Sequence, residues 1–236
     1  PSHQGLGSGT QLALAVGKAL SVLAGERELS AIDLAQRVGR GARSALGLHG
    51  FHQGGFLVDG GKSSLEDIGT LVTRVEFPAE WRILLISVDD ELGLSGKEEQ
   101  TAFRELSGMP ESLTNHLCRL ILMDLLPALV ERDFNAFSNA IFEYGQLVGT
   151  YFASIQGGRL ASPQMAKLAQ ELGNRGITGI GQSSWGPALF VFQESQSKAL
   201  PMLCELGEHP LTVNCQLQIA KPLNRGATVR IEEDPR

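Results

Sequence analysis

The chain of 236 residues is long enough to bury one large or two small hydrophobic cores. Its 42% hydrophobic and 19% charged residues are typical of an ordinary globular protein. The formal net charge of −6 offers no bulk attraction for nucleic acid, so we expect no nucleic-acid partner.

The first predicted element is a glycine-rich loop, 5–11 (GLGSGTQ), that leads directly into an amphipathic helix. Glycines let the backbone approach phosphate oxygens, and the amides and dipole of a helix N-terminus favour an anion. The hydroxyls of Ser8 and Thr10 add donors or a magnesium ligand. Two interpretations stay open: a phosphate site, or a tight turn with a Ser/Thr helix cap.

A second short helix is predicted to begin at Ser30, which forms a capping box with Asp33. It runs into the segment 39–45 (GRGARSA), which places Arg40 and Arg43 among small residues. Guanidinium groups suit phosphate or carboxylate, and glycine neighbours leave room for a ligand. The alternative is a solvated basic turn.

A short buried strand is predicted at 56–58, bracketed by glycine pairs and followed by Asp59. A carboxylate at this position suits metal binding or proton transfer, although an aspartate flanked by glycine is as often a turn former. His49 and His52 precede this strand and are further candidates for phosphate contact or proton transfer.

The remaining pattern predicts an α+β second domain with a third glycine cluster at 177–187, which by itself indicates a hairpin connection. The predicted strands and helices are strand 82–88, helix 113–131 kinked at Pro127, helices 134–154 and 163–172, two strands around the glycine cluster, helix 196–206, and strands 211–219 and 227–232.

In this order, the glycine clusters resemble motifs of the GHMP superfamily, named for galacto-, homoserine, mevalonate and phosphomevalonate kinases. Segment 5–11 matches the second motif and 179–186 occupies the place of the third, but both depart from the kinase pattern. The resemblance implies an α+β two-domain fold. A partial ribosomal-protein-S5-like N-terminal domain would cover 1–81, and a ferredoxin-like C-terminal domain 82–236.

The departures resemble one branch of the superfamily, the β-ribofuranosylaminobenzene 5′-phosphate synthase family. Its members carry, in order, His-x-Gly-Leu-Gly-Ser-Gly-Thr-Gln, Arg-Gly-x-Arg-Ser, Phe-x-x-Gly-Gly-Phe, Asp-Gly-Gly and Gly-x-Ser-Ser-x-Gly-Pro, matched here by 3–11, 40–44, 51–56, 59–61 and 181–187. The resemblance continues into the tail at 224–227. The joint order of these motifs is more specific than any one of them.

This resemblance implies a phosphoribosyl-type transferase of methanopterin biosynthesis. The enzyme would join phosphoribosyl pyrophosphate to para-aminobenzoate or 4-hydroxybenzoate and release pyrophosphate and carbon dioxide. It also implies magnesium and a homodimer. The candidate site residues are Arg40, Arg43 and Asp59 as catalytic groups, His3, Gly5, Gly7, Ser8, Gly9, Thr10, Gln11, Gly181, Ser183 and Ser184 as phosphate contacts, and Ser8 and Asp59 as magnesium ligands.

Two alternatives remain open. The same loop would hold ATP phosphates in an ATP-dependent GHMP small-molecule kinase, with Asp59 as the base. The chain could instead be a non-catalytic subunit that binds a phosphate ligand, since the family has strands upstream of the glycine loop. Without those strands, we expect the apolar face of the first helix to be exposed; it comprises Leu12, Val16, Leu20 and Leu23.

The cellular compartment is predicted from the cysteines and from hydropathy. Cys118, Cys204 and Cys215 form an odd set without metal-type spacing, which favours reduced thiols and a cytoplasmic protein. No signal peptide and no apolar run of membrane-spanning length is recognised, so we expect no membrane partner.

Overall fold

The computed structural model describes residues 5–26, 29–41, 44–62, 64, 67–89, 93, 101, 104, 106–184 and 186–232. The chain divides into two compact units. The first unit contains residues 7–77 and the tail from Leu223 onward, and the second contains Gly5, Leu6 and residues 78–222. This grouping differs from the predicted division at 81/82, because the tail returns to the first unit.

The first unit contains three helices and a two-stranded sheet within its described residues. They are α1 (Ser8–Leu23), α2 (Ala31–Arg37), α3 (Leu46–Gln53), β1 (Phe56–Asp59) and β2 (Leu71–Val75), and the two strands pair antiparallel. The predicted N-cap at Ser30 is confirmed, because its hydroxyl accepts a 3.1 Å hydrogen bond from the Asp33 amide and donates one of 2.6 Å to the Asp33 carboxylate. The core consists of Leu14, Leu34, Ala35 and Leu48.

Helix α1 exposes its apolar stripe. Leu12, Val16, Leu20 and Leu23 are 51–76% exposed, as expected from the sequence. The buried side of α1 carries Leu14 and small residues instead. A Cβ atom added to Gly17 would lie 2.6 Å from Val38 Cγ1, so the glycine permits the close approach of this residue just after α2.

The C-terminal tail packs along the end of α3. The Gly55 amide donates to the Leu223 carbonyl (2.8 Å), and the Ala227 amide donates to the Phe51 carbonyl (2.8 Å). The Asn224 side chain pairs with both backbone groups of Phe77, at 2.8 Å each. These bonds explain why the tail belongs to the first unit. They also replace the predicted strand at 227–232, which does not form.

The second unit is built on a four-stranded antiparallel sheet. In spatial order its strands are β4 (Ile180–Gln182), β5 (Leu189–Gln193), β3 (Arg82–Val88) and β6 (Cys215–Ala220). Along the chain a first strand and its helices precede two hairpin strands, a helix and a last strand, which is the ferredoxin-like arrangement. The predicted ferredoxin-like domain is therefore confirmed. Its α-helices are α4 (Glu111–Arg119), α5 (Leu126–Glu131), α6 (Phe134–Gln156), α7 (Pro163–Asn174) and α8 (Gln196–Gly207).

One face of this sheet packs against α7 and α8. The buried cluster joins sheet residues to Met165, Leu168 and Leu172 of α7 and to Leu206 of α8. The inward positions predicted for α7 from helical spacing are therefore confirmed. A separate aromatic group links Phe137 of α6 to Trp81 and Phe192, with ring centroids 5.1 Å apart in each pair.

The predicted long helix at 113–131 is interrupted before its proline. A π-helical segment, Leu120–Leu125, separates α4 from α5, and Pro127 lies in the first turn of α5, where a missing amide costs little. The segment Glu111–Glu131 also meets the length and composition of a membrane span, which the sequence prediction missed. A single segment of this kind is weak evidence for membrane insertion, because helices of water-soluble proteins pass the same test.

Candidate active site

The glycine loop ends at a helix N-terminus that no side chain caps among the described residues. Gly7 occupies the N-cap position in the left-handed conformation (φ 70°), which only glycine adopts readily. By contrast, α2, α6, α7 and α8 are each capped by a serine or aspartate side chain. The interpretation of the loop as a Ser/Thr-capped turn is therefore wrong. An uncapped, exposed helix N-terminus favours an anionic ligand.

The first turn of α3 packs against the first turn of α1. Gln11 Nε2 donates a 2.7 Å hydrogen bond to the Gly47 carbonyl. A Cβ atom on Gly47 would lie 3.2 Å from Thr10 Cγ2, so glycine allows the two helices to approach. The phosphate contact predicted for Gln11 stays a prediction. In the structure, the Gln11 amide holds the two helix ends together.

Arg40 lies beside the uncapped N-terminus of α1. Its Nη2 atom would be 4.0 Å from a Cβ atom placed on Gly9, and the residue is exposed. Its backbone amide is fixed by a 2.9 Å hydrogen bond to the Ala35 carbonyl. A guanidinium and a helix N-terminus therefore meet at one exposed place, where both attract a phosphate group.

Asp59 lies at the end of β1, at a register shift between Val58 and Asp59. Its Oδ2 atom accepts a 2.9 Å hydrogen bond from the Ala45 amide, and its Oδ1 atom accepts one of 2.9 Å from the Gly61 amide. The Ser44 hydroxyl lies 3.5 Å from Oδ2. The carboxylate thus connects the strand to the start of α3.

The third glycine cluster reaches the beginning of the first within the second unit. Ser183 Oγ donates a 2.7 Å hydrogen bond to the Gly5 carbonyl. Ser184 has a left-handed backbone (φ 53°), and its carbonyl accepts a 2.7 Å hydrogen bond from Gln182 Nε2. Gly181 packs against Phe190, whose Cζ would be 2.4 Å from an added Cβ atom. A side chain at position 181 would therefore require the Phe190 ring to move.

Comparison with known proteins identifies close relatives along most of the chain. The chain is 31% identical to the β-ribofuranosylphenol 5′-phosphate synthase of Archaeoglobus fulgidus over 242 residues, covering 98% of the chain and 74% of that protein. The chain belongs to the β-ribofuranosylphenol 5′-phosphate synthase family. The family suggested by the motifs is thereby confirmed. No protein-family model matches the chain.

A second member of the synthase family, from Methanothermobacter thermautotrophicus, is 35% identical over 202 residues, which cover 80% of the chain and 60% of that protein. The enzyme of the same name from Methanocaldococcus jannaschii is 33% identical and is covered over 62% of its length. The chain therefore spans 60–74% of the length of these three relatives.

Solved structures show that the chain has the GHMP fold. Homoserine kinase from Cytophaga hutchinsonii matches with a TM-score of 0.62 at 16% identity, covering 96% of the chain and 68% of that protein. Mevalonate-3-kinase from Thermoplasma acidophilum matches with a TM-score of 0.64 at 17% identity, covering 94% and 66%. At such identities the likeness establishes the fold alone, and the predicted α+β two-domain GHMP fold is confirmed.

Several predicted site residues of the synthase family fall outside the described part of the chain or have other contacts. His3 and Arg43 lie outside the described residues. His49 is buried, and its Nε2 lies 3.0 Å from the Gly69 carbonyl, so it supports the segment opposite Asp59. Sequence reasoning missed this contact because nothing in the local pattern links position 49 to position 69.

Side chains in the part of the chain that the structure describes do not by themselves form a magnesium site. Within the described ranges, no group of three or more His, Cys, Asp or Glu residues is placed to hold a metal ion. Asp59 directs both carboxylate oxygens at backbone amides, which are groups that repel a cation. The described residues therefore do not fit the magnesium role predicted for Asp59.

Proposed function

We propose that the chain carries the phosphate-binding part of a synthase that joins phosphoribosyl pyrophosphate to a para-substituted benzoate. The observation that carries this proposal is 31–35% identity to three β-ribofuranosylphenol 5′-phosphate synthases over 80–98% of the chain. The name of those relatives refers to a phenol product, which favours 4-hydroxybenzoate over para-aminobenzoate as the acceptor.

The proposed reaction forms one carbon–carbon bond and breaks two bonds. The bond between the anomeric carbon and pyrophosphate breaks, and the leaving pyrophosphate takes its electron pair. The ring carbon that bears the carboxylate attacks the anomeric carbon. The carbon–carboxylate bond then breaks, and its electron pair restores the aromatic ring as carbon dioxide leaves. Because carbon dioxide leaves in place of a proton, no strong general base is required.

The site geometry suits the departure of pyrophosphate. Gly7 provides no side-chain cap at the N-terminus of α1, where the helix dipole favours an anion, and the Arg40 guanidinium lies beside it. Fixed donors of this kind stabilise negative charge that develops on a leaving group. We assign pyrophosphate to the Gly7–Thr10 turn and to Arg40. Arg43 is proposed to bind a phosphate or the benzoate carboxylate.

The test is calorimetric titration of the protein with phosphoribosyl pyrophosphate and, separately, with ATP. Arg40→Ala should weaken phosphoribosyl pyrophosphate binding about tenfold or more, the cost of losing one charge-assisted contact. Arg37→Ala is the matched control, since Arg37 is three positions away and pairs with Glu26. Pyrophosphate and carbon dioxide release with each benzoate would then identify the acceptor.

Other outcomes would contradict the proposal. Preference for ATP would favour a GHMP kinase, and binding without product formation by the protein would favour a non-catalytic subunit. Equal loss in both arginine variants would show that Arg40 acts only through bulk charge. The magnesium requirement, the cytoplasmic location and the homodimer are also proposals, to be tested by chelation, cell fractionation and light scattering respectively.

A further inference from the structure

The Asp59 carboxylate is engaged on both sides by backbone groups near the start of α3. Oδ2 accepts from the Ala45 amide at 2.9 Å, and Oδ1 accepts from the Gly61 amide at 2.9 Å. Gly69 packs against the carboxylate so closely that a Cβ atom added to Gly69 would lie 2.4 Å from Asp59 Oδ1. The side chain is thus held in one orientation by the segments on either side of it.

The electrostatic setting of this carboxylate favours a structural bond over a cation. Ala45 is the N-cap residue of α3, and a helix N-terminus carries partial positive charge. A carboxylate there is stabilised, whereas a divalent cation bound to the same oxygens would be repelled. Within the described ranges, Asp59 belongs to no group of three or more His, Cys, Asp or Glu side chains, so a magnesium ion here would take most of its oxygen ligands from water and substrate.

The bonds of Asp59 continue to the anion-binding end of α1. Asp59 holds Ala45, and two residues later the Gly47 carbonyl accepts the hydrogen bond from Gln11 at 2.7 Å. Gly47 also lies against Thr10. The route from Asp59 to the glycine loop therefore consists of one carboxylate contact, two residues at the start of α3 and one side-chain hydrogen bond.

We propose that Asp59 is a positioning residue that fixes the N-terminus of α3 against the glycine loop, and neither a magnesium ligand nor a proton acceptor. The inference rests on the proposed function only in that the glycine loop is taken as the phosphate site. Asp59→Ala removes both amide bonds, and Asp59→Asn keeps one carbonyl acceptor and should recover part of the loss. Asp67→Asn is the matched control, because Asp67 accepts from the Ser64 amide in the same β1–β2 connection.

The direct measurement is amide hydrogen exchange at Ala45 and Gly61. Exchange should accelerate about tenfold in Asp59→Ala, less in Asp59→Asn, and not in Asp67→Asn. The melting temperature of Asp59→Ala should fall by about 2–8 °C, the usual effect of losing a helix cap. Should Asp59→Ala fail to fold, Asp59→Asn gives the same comparison. Unchanged exchange at both amides would overturn the proposal.

The kinetic measurement separates positioning from chemistry. In Asp59→Asn, KM for phosphoribosyl pyrophosphate should rise, kcat should stay within about threefold, and the half-saturating magnesium concentration should not change. A tenfold rise in that magnesium concentration, or a collapse of kcat at unchanged KM, would show that Asp59 is a ligand or a proton acceptor. If the unaltered protein shows no synthase activity, the proposed function fails, while the exchange measurement still decides the role of Asp59.

Discussion

The hydroxyl of Ser183 donates a 2.7 Å hydrogen bond to the carbonyl oxygen of Gly5, 178 positions earlier in the chain. The Ser183 backbone also lies close to Gly5, since a Cβ atom added to Gly5 would be 2.0 Å from the Ser183 carbonyl oxygen. Two glycine-containing motifs that the sequence presents separately therefore touch through one side chain. Ser183 fixes the residue at which the first loop begins, and its Oγ–H is already donated.

Replacing either partner should loosen the start of the glycine loop. Ser183→Ala removes one hydrogen bond and should cost about 0.5–1.5 kcal/mol of unfolding free energy. Gly5→Ala should cost more, about 2–5 kcal/mol, because it adds a side chain at φ 76° and in contact with the Ser183 backbone. Urea unfolding measures both values.

A glycine in open space supplies the control for this comparison. An added Cβ atom on Gly173, inside α7, meets no atom within 4 Å, so Gly173→Ala should stabilise the protein by about 0.5–1 kcal/mol. If Gly5→Ala proved as harmless as Gly173→Ala, the close packing around Gly5 would be refuted.

Asn224 should contribute strongly to the stability of the first unit. Its side-chain amide accepts a hydrogen bond from the Phe77 backbone amide and donates one to the Phe77 backbone carbonyl. Its backbone carbonyl accepts a third, of 2.6 Å, from Arg74 Nη2. Asn224→Ala removes both side-chain bonds from a partly buried site and should cost about 2–4 kcal/mol. Denaturant unfolding would measure the lost free energy, and the rate of tail proteolysis would show whether the tail has detached.

Two further variants test whether Asn224 acts through its paired bonds. Asn224→Asp keeps an acceptor for the Phe77 amide but places a carboxylate oxygen against the Phe77 carbonyl, so it should recover less than half of the loss. Asn139→Ala, on an exposed position of α6, should change the unfolding free energy by about 0.5 kcal/mol or less. A full recovery in Asn224→Asp would exclude the donor bond as a contributor.

The sequence predicted the helices and strands better than their contacts. Helical spacing identified the buried face of α7, and the capping box located the start of α2, because both signals are local. The sequence identified the exposed apolar stripe of α1 but not the side of the helix that packs on the core of the first unit. Leu14, alone between polar and small residues, fills the core because Gly17 lets a neighbour approach.

The candidate site was only partly predictable, because some of its contacts form between segments that are distant in the sequence. The glycine loop and Arg40 were predicted as phosphate contacts from residue type, and the structure places the Arg40 guanidinium beside Gly9 of the loop. The bonds of Asp59 to Ala45 and of His49 to Gly69 depend on how β1, β2 and α3 pack. No spacing in the sequence encodes these bonds, so the sequence left Asp59 open as a metal ligand, a proton acceptor or a turn former.

The pKa of Tyr144 predicts a loss of stability at alkaline pH. Burial of the phenol raises its pKa above the ordinary value of 10.0, and the neighbouring Cys118 raises it further. Above pH 10 the folded protein therefore retains a proton at this phenol that the unfolded chain releases, so stability falls as pH rises. Tyr144→Phe should remove this slope, whereas Cys118→Ser should remove only the smaller part. The test is to measure the unfolding free energy of the unaltered protein and of both variants at neutral and alkaline pH. An equal fall of stability with pH in all three proteins would contradict the prediction.

The Gln11 side chain should affect phosphate affinity indirectly, by holding the start of α3 against the start of α1. That donor is used on Gly47, so Gln11→Glu replaces the bond with a repulsive contact and adds negative charge near the uncapped end of α1. We expect phosphoribosyl pyrophosphate binding to weaken about tenfold or more. Gln11→Met removes the donor without adding charge and should weaken binding by a smaller factor. Gln36→Glu, on the exposed face of α2, makes the same chemical change away from the loop and is the control. If the Glu and Met variants at position 11 bound equally well, charge near the loop would be irrelevant, and the assignment of the anion to the N-terminus of α1 would be wrong.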